Sequence, residues 1–245
     1  MPGSFSSSAG PLSYEVYLPP GYATSGLRYP TIYYLHGLPA TASSYESFGF
    51  VPKALEEDGI PAIVVAPQGA APGEPDPEYR DLGGGEDWDT AIGVELPHVI
   101  DAEFRTLPDR TGRAIIGVSA GGYGAMILGL HHLGLYSVIE SWSGYFHPTD
   151  PTGTRSVDPQ PWLSAHSFVP SLKRAFAVHP TFLGFYVGAA DPTFRQENIE
   201  LARQLSQAHV PFVFRMYPGG HSQSLWTAEA PLWLRLASAQ LAPPS

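Results

Sequence analysis

The stretch Arg113-Ala114-Ile115-Ile116-Gly117-Val118-Ser119-Ala120-Gly121-Gly122-Tyr123-Gly124-Ala125 decides the fold. Ala114 to Ile116 is a short apolar run of the kind that forms a strand buried on both faces, and Tyr123 to Leu133 continues as a helical run. Between them stands Gly117-Val118-Ser119-Ala120-Gly121, a G-x-S-x-G pattern with no room for a loop. A strand that turns at once into a helix forces its corner residue into strained backbone angles. The residues two before and two after that corner must then be small, a condition Gly117 and Gly121 meet. Gly122 and Gly124 further let the helix pack close to the strand. Such a corner holds the Ser119 hydroxyl above the end of a sheet.

Working outward, further short apolar runs read as strands at Tyr14 to Leu18, Thr31 to Leu35, Ala62 to Ala66, Val138 to Trp142, Phe182 to Val187 and Phe212 to Tyr217. Helical patterns alternate with them. Trp88, Ile92, Leu96, Ile100 and Phe104 recur every fourth residue, with a kink expected at Pro97. Phe194, Leu201 and Leu205 share one helical face, and Leu225, Leu232 and Leu236 another. This alternation predicts a single domain over residues 1–245 built on a mostly parallel central sheet with helices on both faces. Two long Pro-rich polar stretches, Gln68 to Glu86 and His147 to Pro170, read as loops. The second is a candidate partial lid.

Composition narrows the function classes. The chain has 245 residues, 13 Lys plus Arg against 23 Asp plus Glu, a net charge of −10 and no cysteine. An acidic chain without a basic block is a poor partner for nucleic acid or an anionic membrane surface. No run approaches the ~18 apolar residues of a membrane span, so no membrane insertion is expected. The lack of cysteine rules out disulfides, thiolate metal sites and a Cys nucleophile together. Met1-Pro2-Gly3-Ser4-Phe5 carries no leader-like pattern, which fits a cytoplasmic protein if the chain is complete and a secreted one if a signal peptide has been removed. A homodimer is compatible with everything in the sequence.

A serine hydroxyl is a weak nucleophile at neutral pH and needs a base, which in turn needs an orienting acid. Asp191 follows the strand-like Phe185-Tyr186-Val187, and His221 follows Met216-Tyr217-Pro218-Gly219-Gly220. Both would lie at the C-terminal ends of parallel strands, the edge from which Ser119 emerges. Of the nine histidines, only His36 and His221 follow a strand and adjoin glycine, and His36 precedes the serine. Asp150 and Asp158 also lie between Ser119 and His221, but neither follows a strand. Negative charge on an attacked carbonyl oxygen calls for two backbone N–H donors. Ala120, directly after the serine, supplies one; Leu38, after the strand that ends at His36-Gly37, supplies the other.

These residues resemble the esterase D branch of the α/β-hydrolases, which includes S-formylglutathione hydrolases, feruloyl and acetyl-xylan esterases and antigen 85-type mycolyltransferases. The stretches that carry the likeness are Val16-Tyr17-Leu18-Pro19-Pro20-Gly21-Tyr22, Tyr34-Leu35-His36-Gly37-Leu38, Asp101-Ala102-Glu103-Phe104-Arg105-Thr106, Gly117 to Ala125, Gly188-Ala189-Ala190-Asp191-Pro192 and Gly219-Gly220-His221-Ser222. The resemblance implies an α/β-hydrolase fold, a Ser119–Asp191–His221 triad and an oxyanion hole formed by the Leu38 and Ala120 amides. It also implies a cofactor-free serine carboxylesterase acting on short-chain or aryl esters of feruloyl or acetyl type. Acyl transfer of the mycolyltransferase kind and a non-catalytic binding protein on the same scaffold are the alternatives. The lack of cysteine sets the chain apart from the S-formylglutathione hydrolases, and Pro39-Ala40-Thr41 lacks the charged residues found there in the mycolyltransferases.

Other chemistries find less support. No H-E-x-x-H occurs, and the adjacent His131 and His132 should point to different faces of a helix, so no metal is expected. Glu86-Asp87-Trp88-Asp89 reads as a solvated helix N-terminus rather than a glycosidase pair. Gly83-Gly84-Gly85 reads as a hinge. Trp88, Trp142, Tyr145 and Phe146 are candidates for an apolar substrate cleft. Core packing is the competing reading, and the better one for Trp88 on its helical stripe.

Overall fold

The computed structural model describes residues 1–38, 43–71, 77–150 and 160–245. Its strands are β1 (Pro2–Ser7), β2 (Gly10–Tyr17), β3 (Thr31–Leu35), β4 (Ile63–Pro67), β5 (Arg113–Val118), β6 (Val138–Trp142), β7 (Phe182–Gly188) and β8 (Val213–Tyr217). They form one sheet in the order β1-β2-β4-β3-β5-β6-β7-β8. The β1–β2 and β2–β4 pairings are antiparallel; every pairing from β4 through β8 is parallel. The helices are α1 (Tyr22–Ser25), α2 (Phe50–Glu57), α3 (Trp88–Thr90), α4 (Leu96–Glu103), α5 (Ala120–His131), α6 (Ala165–Val178), α7 (Arg195–Gln207) and α8 (Gln223–Ser238).

The sheet has a core on each face because its central strands, mostly apolar, are buried at every position. Tyr33, Leu35, Ile115, Ile139 and Phe185 pack on the side of α4 to α7, whereas Ile32, Tyr34, Ala114, Ile116 and Tyr186 pack on the side of α2 and α8. Successive residues on a strand point to opposite faces, so strands buried on both sides lose the polar alternation of a half-exposed sheet. The parallel sheet and its seven sequence-read strands are present.

Several local readings need correction. Trp88 to Glu103 is continuously helical, but its irregularity is a π turn at Ala91–Glu95 and not a kink at Pro97, which lies in the first turn of α4. A strict four-residue repeat drifts by ~40° per step on a 3.6-residue helix. The wide turn re-phases the stripe and keeps Trp88, Ile92, Leu96 and Ile100 all buried. On α8, Leu232 and Leu236 are only half-buried; the core face is Leu225, Ala230, Trp233, Leu234 and Ala237. Trp233 seats its ring 5.2 Å from that of Tyr186. The stretch 147–170 is not all loop, because its last six residues open α6. The buried residues of that helix, Ala165, Val169, Leu172 and Phe176, follow helical spacing, while Pro170 stays on the exposed side. Part of that lid candidate, 151–159, lies outside the described residues, as do Pro39-Ala40-Thr41 and part of the Gln68 to Glu86 loop. Among the described residues, no helix is long and apolar enough to cross a membrane.

Glu140, in the middle of β6, is fully buried, with Trp142 Nε1 donating to its Oε2 at 2.9 Å. Burial pushes its carboxyl well above the usual range, and the Trp142 hydrogen bond offsets this only in part. An acid whose folded pKa is raised stabilises the fold least at high pH. Full stability holds below the unfolded pKa and is lost as pH rises towards the folded one. Glu140→Gln, which mimics the protonated acid, should therefore gain on the parent by up to ~1.4 kcal/mol per pH unit between pH 5.5 and 7.5. Denaturant titrations at the two pH values measure this, and an equal difference at both would refute it.

Candidate active site

Ser119 is the single residue between β5 and α5, with φ 55° and ψ −121°. This left-handed backbone strains any side chain except glycine's, and the surrounding contacts enforce it. A Cβ on Gly117 would lie 2.2 Å from the Gly121 carbonyl oxygen, and one on Gly121 would lie 2.0 Å from that of Leu35. The Ser119 N–H donates to the Trp142 carbonyl at 3.0 Å, tying the corner to β6. Gly124 has a different role from the one expected. Its missing Cβ leaves room for Tyr79, whose Cδ2 would be 2.4 Å away, and not for a strand.

Asp191 and His221 arrive on the loops after β7 and β8, which are joined by their backbones. Ala189 N–H donates to Tyr217 and Ala190 N–H to Gly219, each at 2.8 Å. Gly219 takes φ 120°, as glycine can, to complete the turn. His221 Nε2 lies 2.8 Å from Ser119 Oγ, and His221 Nδ1 lies 3.1 Å from Asp191 Oδ2. The other Asp191 oxygen accepts the Thr193 and Phe194 amides at 2.9 and 3.0 Å. Burial raises the Asp191 pKa, since the residue is only 1% exposed, but the hydrogen bonds from His221, Phe194 and Thr193 outweigh it and hold the carboxyl below its usual range. The His221 ring meets Phe194 and Trp226, each with centroids 5.2 Å away. Side chains 102 and 30 residues apart are thus in hydrogen-bond reach. Asp158 lies outside the described residues.

Gly37 brings the chain after β3 against the serine, where a Cβ would sit 2.9 Å from Ser119 Cβ. Tyr79 Oη donates to the His36 carbonyl at 2.8 Å and so holds this turn from behind. Burial keeps the His36 imidazole below its usual pKa despite the Gly37 carbonyl beside its Nδ1, and its ring lies against that of Tyr79. Leu38 is half-buried beside Gly37, and Ala120 is buried at the positive N-terminal end of α5.

A cleft of about 330 Å³ adjoins this point, walled by Tyr34, Leu38, Val118 and Trp226, with polar Ser47 and Gln223. Trp88, Trp142 and Tyr145 are not in its wall. They are 1%, 0% and 1% exposed and belong to the core. Trp142 turns its indole N–H to Glu140, Tyr145 stacks on Tyr123 and Phe194, and Trp88 lies under the α3 end of the helical stripe. Sequence reading missed Trp226 and Phe194. Their one signal is proximity to the site residues, since Trp226 is five residues after His221 and Phe194 three after Asp191.

The model of the Esterase family, described as "Putative esterase", matches residues 7–231. An esterase of Mycobacterium tuberculosis is 34% identical over 130 residues, covering 53% of this chain and 28% of that protein. The S-formylglutathione hydrolase of Rattus norvegicus is 28% identical over 155 residues, covering 56% and 53%. The matches thus span about half or less of these relatives, and the expected separation from the S-formylglutathione hydrolases draws no support from them. A solved ferulic acid esterase superposes with a TM-score of 0.85 at 23% identity, covering 98% of each chain. An S-formylglutathione hydrolase from Agrobacterium tumefaciens gives 0.78 at 20%, covering 98% of this chain and 95% of that one. These structural likenesses establish the α/β-hydrolase fold. On a family match that runs through all but the two ends of the sequence, the chain belongs to the Esterase family.

Proposed function

We propose that the chain, as one α/β-hydrolase domain, is a serine carboxylesterase working through an acyl-enzyme on Ser119. The observation that carries this reading is the continuous hydrogen-bonded relay of Ser119 Oγ, the His221 ring and Asp191 at 2.8 and 3.1 Å. As Ser119 Oγ attacks an ester carbonyl, His221 Nε2 takes its proton. Asp191 holds the ring by Nδ1 and stabilises the imidazolium that forms. The Leu38 and Ala120 amides stabilise the oxyanion; one such donor is worth ~3 kcal/mol in the transition state. Collapse expels the alcohol, which takes the proton from His221, and water then deacylates the serine by the same route.

The cleft beside Gly37 and Leu38 supports a short-chain or aryl acyl group, feruloyl or acetyl in type, because its walls mix aromatic and aliphatic side chains with a few hydroxyl and amide groups. A purely binding role would leave the strained Ser119 backbone without a purpose.

Ser119→Ala should cut kcat on p-nitrophenyl acetate by at least ~10⁴-fold with an unchanged melting temperature, and Asp191→Asn by ~10³- to 10⁴-fold. Hydrolysis that survives in Ser119→Ala would remove the mechanism. Trp226→Ala, which opens the cleft wall, should raise KM for methyl ferulate roughly tenfold more than for p-nitrophenyl acetate. Equal changes for both esters would move the acyl group elsewhere.

Gly121→Ala would drive a methyl group into the Leu35 carbonyl and should destabilise the fold by more than ~3 kcal/mol. Gly134→Ala, with nothing within 4 Å of its Cβ, should stay within ~0.5 kcal/mol of the parent. Urea unfolding of the two variants measures the contrast.

A further inference from the structure

We propose that Asp89, His131 and His132 form a binding site for a divalent cation of the zinc class, separate from the Ser119 site. Neighbouring helical residues point about 100° apart, which is why the two histidines were expected to face different ways. The structure brings both onto one carboxylate. His131 is the last residue of α5, and His132 leaves the helical conformation at φ −117° and ψ 45°. That departure swings its ring round until the two imidazoles meet edge to face, with centroids 6.1 Å apart. Opposite them stands Asp89 on α3, 6% exposed. Its Oδ2 contacts His131 Nδ1, and its Oδ1 lies 2.5 Å from His132 Nε2. One ligand atom from each residue lies within 4.8 Å of the other two, and among the described residues no other group of three His, Cys, Asp or Glu does this.

The hydrogen bonding of His131 turns its Nδ1 toward the place a cation would take. Its Nε2 lies 2.7 Å from the Trp162 carbonyl oxygen, which can only accept, so Nε2 carries a hydrogen. In the neutral ring Nδ1 is then a bare lone pair, and it faces a carboxylate oxygen that is also bare. Two acceptors in contact repel unless a positive charge lies between them, which a second ring proton supplies in the empty site and the ion supplies on displacing that proton. A metal-bound histidine shows the same arrangement, with one nitrogen on the ion and the other N–H on a carbonyl. Two imidazoles and one carboxylate, with a fourth position open to solvent, are a ligand set that zinc accepts. A tetrahedral ion with bonds of ~2.0–2.1 Å spaces its ligand atoms by ~3.4 Å. Seating it would part Asp89 Oδ1 and His132 Nε2 by about 0.9 Å beyond the present 2.5 Å, a shift that small side-chain rotations supply.

The surroundings make room for this. A Cβ on Gly93 would lie 2.8 Å from His132 Cδ2 and 3.4 Å from Asp89 Oδ1, so only glycine leaves space for that ring. Gly93 belongs to the π turn, a wide turn frequent at functional sites. A cleft of about 300 Å³, walled also by Asp81, Thr90 and Leu163, gives access. Through Trp162 and the Phe168 ring, 5.5 Å from that of His131, a bound ion would tie the 161–163 turn and α6 to the end of α5.

The full chain, stripped with EDTA and dialysed, is titrated with ZnCl₂ against a chromophoric zinc chelator at pH 7.5. We expect one equivalent bound with Kd below ~1 µM and, at a hundredfold excess over Kd, a rise in melting temperature of roughly 5–10 °C. Asp89→Asn and His132→Gln keep side chains of similar size and should each weaken binding at least a hundredfold. His221→Ala should retain the full equivalent, as should His166→Ala on α6, where His166 and His147 face Glu197; this separates the site from the serine relay and from that second pair of histidines. Failure of the parent chain to bind zinc more tightly than ~100 µM, or undiminished binding in Asp89→Asn and His132→Gln, would overturn the proposal.

Discussion

The structure depends on one close approach of backbone to backbone, where β5 turns into α5 over Ser119. Three chain segments meet there with no side chain between them: Gly117 against the Gly121 carbonyl, Gly121 against Leu35, and Gly37 against the serine itself. A core side chain larger than hydrogen at any of these glycines would separate β3, β5 and α5. Dense packing leaves such a corner no room to adjust, since interiors transmit strain and do not absorb it. Ser119 is thereby held at positive φ, where its hydroxyl stands clear of the sheet.

Around that fixed point the remaining polar groups arrive on loops that are themselves tied down. The carriers of Asp191 and His221 share backbone hydrogen bonds, so one does not move without the other. The Phe194 amide that orients Asp191 belongs to the residue whose ring also lies against His221. Tyr79 supports the His36–Gly37 turn from beneath, and Gly124 on α5 makes space for it. Position and charge are therefore set together. The same contacts that locate Asp191 also keep it ionised against the effect of burial.

A second polar assembly occupies the far end of α5, where Asp89 gathers His131 and His132. Both assemblies use a departure from regular helix geometry, the positive φ of Ser119 at one end of α5 and the unwound His132 at the other. Helix ends are where backbone freedom and unpaired groups coincide, so they are where side chains can be turned toward one another.

Local pattern determined much of this protein. The apolar runs of β2 to β8, the corner at Gly117 to Gly121, and the order Ser119, Asp191, His221 could all be read because each rests on neighbours in the chain or on the alternation of strand and helix. Local pattern did not reveal β1, a Ser-rich strand that exists only by pairing with β2, or α6, whose Pro170 looks like a loop residue until its solvent-facing position is known. Nor did it distinguish a core aromatic from a cleft aromatic. Trp142 and Trp226 are the same side chain in the sequence, and only tertiary packing put the first beneath the sheet and the second beside His221. Burial and the turn of a ring at a helix end depend on atoms far away along the chain, so the meeting of Asp89 with two adjacent histidines was decided by the fold alone.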